Sequence, residues 1–363
     1  MGHRVIPNFL LFLSVIPLIA DAAGLEPVVD VVVRRHMTEK NIPGMSVAIV
    51  QNGTLVFSEG YGKASLEFDL PASRDTVYPI SSVSKIFAGL LAARLVQAGK
   101  LNLDSSVAEY FDETPPDKRM VTVRHLLQHT HGLEDFYRSE NYRIETGKTV
   151  DSSTADELVR WSLTRPAQFS AGADWKYSLA GYVMLAQVLE QAGEMPYAEL
   201  LQHYVLKPIG MVGTFGGTEI VVPGRNPVLY ELVDGVLSGH IVEFPQSAYA
   251  AGGLNISVHE LSKLFVALSG DEFIGNEIKQ ELWNNSVLAN GKPANYGLGW
   301  FSYTTSKNRW VVGHEGGGAS WVIYYPNLDI AVIALSNMSG ARADSLPYEI
   351  ARTALDEGLL TSD

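Results

Sequence analysis

There is no cysteine anywhere in the 363-residue chain. That excludes disulfides, a thiol nucleophile, thiolate metal sites and a lipidated N-terminal cysteine. Positive charge is scarce as well: 27 Lys and Arg stand against 40 Asp and Glu, for a net charge of −13. With no basic run to offset it, this balance argues against nucleic acid and against an anionic membrane surface as partners. Long apolar runs are almost absent; the one that exists, Phe9 to Ala20, is broken by Ser14 and is short for a membrane span. No internal repeat or low-complexity segment occurs. What remains, 46% apolar and 18% charged residues, is a globular composition with ample chain for a buried core.

The first two dozen residues read separately from the rest. Arg4 gives a positive start, the apolar run follows, and Ala20-Asp21-Ala22 offers a small-x-small cleavage site. Residues 1–23 are therefore expected to be a secretory signal cut near Ala22 or Ala23, and the mature chain to be exported, periplasmic or secreted, without stable membrane insertion. The alternative is an uncleaved anchor. The remainder, residues 24–363, fits one two-lobed unit.

From Pro27 to Lys40 the spacing of Val28, Val29, Val32, Val33, His36 and Met37 predicts an amphipathic helix, ended by Asn41-Ile42-Pro43-Gly44. Met45–Gln51 and Thr54–Glu59 flank Asn52-Gly53, a strong hairpin signal. Helical patterns then dominate to about residue 290: one after Ser82, a short one over Thr122–Gln128, and others over Asp156–Thr164, Leu179–Ala192 and His259–Ser269. From Tyr296 onward β-rich runs return (Tyr296–Phe301, Trp310–Val312, Trp321–Tyr325, Ile330–Leu335), and Leu346–Glu357 closes the chain as a helix. Strands near both ends with helices between predict an α/β (α+β) fold. Its antiparallel sheet, flanked by helices, comes from about 27–80 and 292–360, with a mainly helical lobe from about 81–291 inserted.

Three stretches carry chemistry. Ser82 and Lys85 are three apart where an irregular segment becomes a helix, so hydroxyl and amine share one face. Lys85 lies in the first turn, where the helix macrodipole disfavours a cation; if the site is also desolvated, the amine loses its proton more easily and can act as a base towards Ser82. About one Ser-x-x-Lys arises by chance in a chain of this length, and a capping serine beside a surface lysine is the plain alternative. Tyr177 opens a helix, as a phenol able to shuttle protons or as ordinary packing. Gly313-His314-Glu315-Gly316-Gly317-Gly318 sits between two β-runs, as a cleft-facing strand edge or a hairpin turn. It lacks the lysine and hydroxyl of a phosphate loop. His125, His129 and His131 have a spacing that suits metal ligands, but the glutamate of a His-Glu-x-x-His zinc helix is absent. Phe136, Tyr137, Tyr142, Trp175, Tyr182, Trp300 and Trp321 read as core, those beside the motifs as walls of an apolar cleft.

Ser82-x-x-Lys85, Tyr177-Ser178-x and His314-x-Gly316, in that order, resemble the penicillin-recognising serine hydrolases: class C β-lactamases, DD-carboxypeptidases and β-lactamase-like carboxylesterases. Leu126–Leu133, Ala251-Gly252-Gly253-Leu254, Tyr296-Gly297-Leu298-Gly299-Trp300 and Leu335-Ser336-Asn337 are similar to further stations of that family. The resemblance spans about residues 27–357. It implies a β-lactamase-like fold, Ser82 as the nucleophile of an acyl-enzyme, Lys85 as its activator and Tyr177 as a second acid/base. It also implies an oxyanion hole from the backbone N–H groups of Ser82 and Gly317, substrate contacts from Leu179, His314 and Gly316, and no metal or cofactor.

Two positions depart from the family pattern. Leu179 stands where the tyrosine triplet has Asn, and His314 where the stricter enzymes have lysine. Leucine cannot hydrogen-bond an acyl-side amide, and imidazole is mostly neutral at pH 7. Both favour less polar ester or short-acyl substrates over carboxylate-bearing ones. The expected function is an exported serine hydrolase leaning to esters. The alternatives are a β-lactamase or D-amino-acid peptidase, and a non-catalytic, penicillin-binding-like regulatory protein.

Overall fold

The computed structural model describes residues 22–212, 214–215, 227–240 and 245–361. The expected signal segment lies almost wholly outside them. No helix among the described residues is long and apolar enough to cross a membrane.

Strands β1 (Gly44–Gln51) and β2 (Thr54–Ser65) form the hairpin around Asn52-Gly53, with β3 (Leu70–Pro71) beside β2. Asn52 and Gly53 both have positive φ, the backbone a two-residue hairpin turn needs. Three short strands, β4 (Tyr78–Pro79), β5 (Thr214–Phe215) and β8 (Leu254–Ile256), form a small second sheet. Between the last two in sequence lies a separate hairpin, β6 (Leu229–Val233) and β7 (Val236–His240). The sequence reading expected helices and loops through this stretch. Such strands are too short to show periodicity, and the small sheet is paired across long sequence separations. Near the C-terminus β9 (Phe301–Thr304), β10 (Trp310–Gly316), β11 (Ser320–Tyr325) and β12 (Ile330–Ser336) complete a seven-stranded antiparallel sheet ordered β3-β2-β1-β12-β11-β10-β9. The two ends of the chain meet where β1 pairs β12, Met45 opposite Ser336 through Gln51 opposite Ile330.

Both faces of this sheet are covered, which explains the unbroken apolar runs of its central strands. Val47 and Ile49 of β1 join Val332 of β12 in a core beneath the helices Ala22–Lys40 and Leu346–Asp356. Ala48, Val50, Ile333 and Leu335 face the opposite core, shared with the helical lobe. The first helix starts at Ala22 and takes Pro27 inside it, five residues earlier than expected. Proline near a helix start removes only a poorly used N–H, so it marks no boundary here. The other helices end within a residue or two of their expected limits, set by capping side chains: Thr122, Thr154, Ser178 and Ser257 each accept a backbone N–H.

At the centre stands the helix Ser84–Gln97, apolar around most of its circumference and buried accordingly. Ile86, Phe87, Leu90, Leu91 and Leu95 are at most 1% exposed. Full burial of such side chains stabilises by about 1.5–3 kcal/mol each, so the turn at this helix's N-terminus is carried on a rigid post.

Candidate active site

Ser82 lies in a 3₁₀ turn, Ser81–Val83, that runs into the central helix. Neither the turn nor the helix uses a side-chain cap, so the Ser82 hydroxyl is not spent on capping. Ser81 holds φ +46°, the left-handed region, costly for a residue with a Cβ at about 1–3 kcal/mol. This kink presents Ser82 at the mouth of a cleft of about 560 Å³ between sheet and helical lobe.

Lys85, one turn on, is fully buried, and its Nζ lies 3.1 Å from Ser82 Oγ and 2.6 Å from the Ala251 carbonyl oxygen. Burial lowers its pKa to about 7, against a smaller upward pull from the Asp135 carboxylate. The amine also stands 4.9 Å from the Tyr177 ring centre and 5.2 Å from that of Tyr182. Serine, lysine and tyrosine, 95 residues apart in sequence at their extremes, are thus brought together.

The flanking motifs explain how. Gly299 lies so close to the Lys85 carbonyl oxygen that an added Cβ would stand 2.3 Å from it, and Gly89 meets the Leu298 carbonyl in the same way. The Leu254 amide donates to Ser84 Oγ at 3.1 Å, while Tyr182 donates to the Leu127 carbonyl. Gly316 packs on the Ile80 carbonyl, where a Cβ would stand 2.1 Å away, and so presses the end of β10 against the strained serine turn. It lies behind the cleft lining rather than in it, whereas Gly317 is in the lining, with φ +59°. Among the described residues no backbone acceptor takes the Ser82 or Gly317 N–H, so both donors are available at the cleft.

His314 forms part of the wall with both nitrogens occupied. Nδ1 lies 2.6 Å from the Glu315 carbonyl oxygen, which only accepts, so Nδ1 carries the proton. Nε2 then accepts from the Tyr296 hydroxyl at 2.9 Å. Burial, with Lys85 nearby, drives the pKa of His314 down to about 3, and the ring is neutral at ordinary pH. Leu179, partly buried against the core of the helical lobe, is among the residues lining the cleft, and its amide donates to Asp135 Oδ2 at 3.0 Å.

The three motif histidines have separate structural tasks. His125 Nδ1 accepts the Thr122 amide in a capping box, and His131 Nδ1 accepts the Leu133 amide. His129, at φ +59°, accepts the Ser178 amide and stacks 4.4 Å from the Tyr177 ring. Trp175 and Tyr137 line the cleft as walls, while Phe136, Tyr142, Tyr182 and Trp300 are core.

Asp135 was not singled out from sequence. It is 6% exposed, and its second oxygen accepts the Tyr137 amide, so one carboxylate anchors two segments of the cleft wall. A lone aspartate three residues after a glycine gives no sign of this; only its place directly behind the Leu126–Leu133 motif hinted at it. Glu315, inside the glycine-rich motif, also lines the cleft.

A kinked serine beside a buried amine, set between an antiparallel sheet and a helical lobe, defines a β-lactamase-like serine hydrolase architecture. The Beta-lactamase family pattern matches residues 29–355, and the chain belongs to that family, whose members are serine hydrolases. It is 26% identical over 319 residues to "Penicillin-binding protein 4*" of Bacillus subtilis (strain 168), covering 82% of this chain and 69% of that protein. It is 31% identical over 202 residues to Esterase EstB of Burkholderia gladioli, covering 53% of this chain and 51% of the esterase. The chain thus spans from about half to just over two thirds of the length of these relatives. Among solved structures, the octameric penicillin-binding protein homologue from Pyrococcus abyssi superposes with a TM-score of 0.79 at 26% identity, over 92% of this chain and 77% of the other.

Proposed function

We propose that this chain cleaves esters through an acyl-enzyme on Ser82. The observation that carries the reading is the buried Lys85 amine, its pKa brought to about 7, 3.1 Å from Ser82 Oγ. In its neutral form Lys85 takes the hydroxyl proton while Oγ attacks the ester carbonyl carbon. The Ser82 and Gly317 N–H groups stabilise the oxyanion; removing one such donor typically costs about 10²–10³ in rate. Tyr177, beside the amine, passes a proton to the departing alkoxide and later draws one from the water that releases the acid. The preference for esters over carboxylate-bearing β-lactams and peptides rests on the walls: a neutral His314 with no free donor, an apolar Leu179 and the Glu315 carboxylate. An anion beside the scissile bond finds repulsion there rather than a partner. The first 23 residues further support export.

Intact-protein mass spectrometry after exposure to p-nitrophenyl butyrate, nitrocefin and a D-Ala peptide tests this directly. A butyryl adduct on Ser82, with ester turnover exceeding nitrocefin turnover, is expected. Ser82→Ala protein that still hydrolyses the ester at the wild-type rate overturns the assignment, and faster nitrocefin turnover overturns the substrate preference.

A further inference from the structure

A second cavity, of about 280 Å³, adjoins the catalytic cleft, with Phe301, His314 and Glu315 bordering both. Its origin is the alternation of β10. Val312 packs towards the helical lobe, whereas Val311 packs in the core on the opposite face of the sheet, the face shared by Gly313 and Glu315. Gly313 itself packs on the Val322 carbonyl, where a Cβ would stand 2.0 Å away, and the space lies between this face of the sheet and the start of the helix Leu346–Asp356, with Pro347 and Tyr348 in its lining. The walls are aromatic: Trp321, Tyr303 and Tyr348 line the space. The Trp321 indole donates to Asp344 Oδ1 at 2.9 Å, and so fixes that carboxylate in the wall.

The charges in this cavity are unbalanced. Glu315 and Asp344 line it against the single guanidinium of Arg342, which forms no ion pair among the described residues. Partial burial and the neighbouring Asp344 push the Glu315 carboxyl above its ordinary range, so another positive charge brought beside it is favoured. Carboxylates combined with ring faces in a partly enclosed space are the chemistry that recognises an ammonium ion. The net charge of −13 also enriches cations around the molecule.

We propose that this side cavity is a subsite for a cationic, ammonium-bearing group of the ester substrate, held by Glu315 and Asp344 against the rings of Trp321, Tyr303 and Tyr348. The inference rests on the ester-hydrolase reading and adds a substrate class to it. The acyl group is attacked at Ser82, and the charged arm reaches past His314 and Phe301 into the side cavity.

The test compares butyrylcholine with its uncharged carbon isostere, 3,3-dimethylbutyl butyrate, and with a carboxylate-bearing butyrate ester of matched length. A kcat/KM ratio of about ten in favour of the cation over the isostere is expected, with the anion the poorest of the three. Glu315→Gln and Asp344→Asn each lower the cation-to-isostere ratio several-fold, as does 0.5 M salt in the wild type. A ratio of one or below, preference for the anion, or a ratio unmoved in both variants overturns the proposal. Saturation-transfer NMR of choline against 3,3-dimethylbutanol on the unmodified protein decides independently of catalysis. Selective choline binding supports the subsite, and equal binding overturns it. Loss of all ester turnover with choline still selectively bound sinks the hydrolase reading alone; Ser82-dependent turnover without cation preference sinks only the subsite.

Discussion

Asp135 Oδ2 accepts the amide of Leu179 at 3.0 Å, which ties the segment after the histidine-rich motif to the start of the helix that follows Tyr177. The other oxygen holds Tyr137, so the carboxylate fixes two cleft walls at once, and its charge is the one influence that raises Lys85 against burial.

Asp135→Asn separates these two roles. An amide has one carbonyl oxygen for two N–H donors, so one backbone group loses its acceptor, at about 1–3 kcal/mol of stability. Loss of the negative charge lets Lys85 fall further below its usual range. The acid limb of the kcat/KM profile, expected near pH 7 in the wild type because the neutral amine is the active form, moves to lower pH. A variant that loses rate with the limb unmoved assigns Asp135 to structure alone.

Lys85→Met exchanges function for stability. The folded-state pKa of Lys85 is about 7 and the ordinary value is 10.5, so between these the unfolded chain binds the extra proton. Stability therefore rises with pH across that window, and burying the amine is a penalty at and below pH 7. Methionine fills the site without that penalty. Hydrolysis should vanish while Tm at pH 7 rises by a few degrees, and the gain should shrink towards pH 10. A Tm that falls equally at both pH values contradicts the argument.

Gly316→Ala probes the contact between β10 and the serine turn. The new Cβ would stand 2.1 Å from the Ile80 carbonyl and 3.3 Å from the Ser81 Cβ, and backbone cannot yield as a flexible side chain does. The strand end shifts, taking the Gly317 amide with it. The expected result is a fall in kcat of about 10² with KM for a neutral ester changed far less. Gly340→Ala is the control: its Cβ meets nothing within 4 Å, and although φ is +66° it is expected to cost stability rather than rate.

Much of this architecture was legible because its signals are local. Asn52-Gly53 forces a turn, the apolar spacing after Ser82 forces a helix, and the central strands, buried on both faces, are continuously apolar. The β6–β7 hairpin was missed although Asp234-Gly235, both at positive φ, turns it as Asn52-Gly53 turns β1–β2; the flanking Leu232, Val233, Val236 and Leu237 are all exposed and apolar, so no alternation drew notice to it. Ser82, Lys85 and His314 were legible through motif order. Asp135 and the side cavity were not, since a buried carboxylate's bonds and a space between β10, β11 and the segment Arg342–Tyr348 arise only when distant segments pack. The strain at Ser81 is likewise invisible in a run of serines.

The buried imidazoles give the last expectation, a steep loss of stability in acid. His131 and His314 are held neutral by burial, each with a pKa of about 3, and His129 is also driven well below the ordinary 6.5. Between about pH 3 and 6.5 the unfolded chain therefore binds protons that the folded chain refuses. The share of stability linked to these histidines is fully present above pH 6.5 and falls as the pH drops through this window. His131 is the residue to change, because it lies away from the cleft lining and its Nδ1 only accepts the Leu133 amide. His131→Asn keeps an acceptor for that amide and removes one titrating group. Its Tm at pH 7 drops for lost packing, yet the slope of stability against pH between 4 and 6 becomes shallower by about one proton. Thermal melts at half-unit pH steps measure this, and a slope identical to that of the wild type would show that His131 is already protonated in the folded protein.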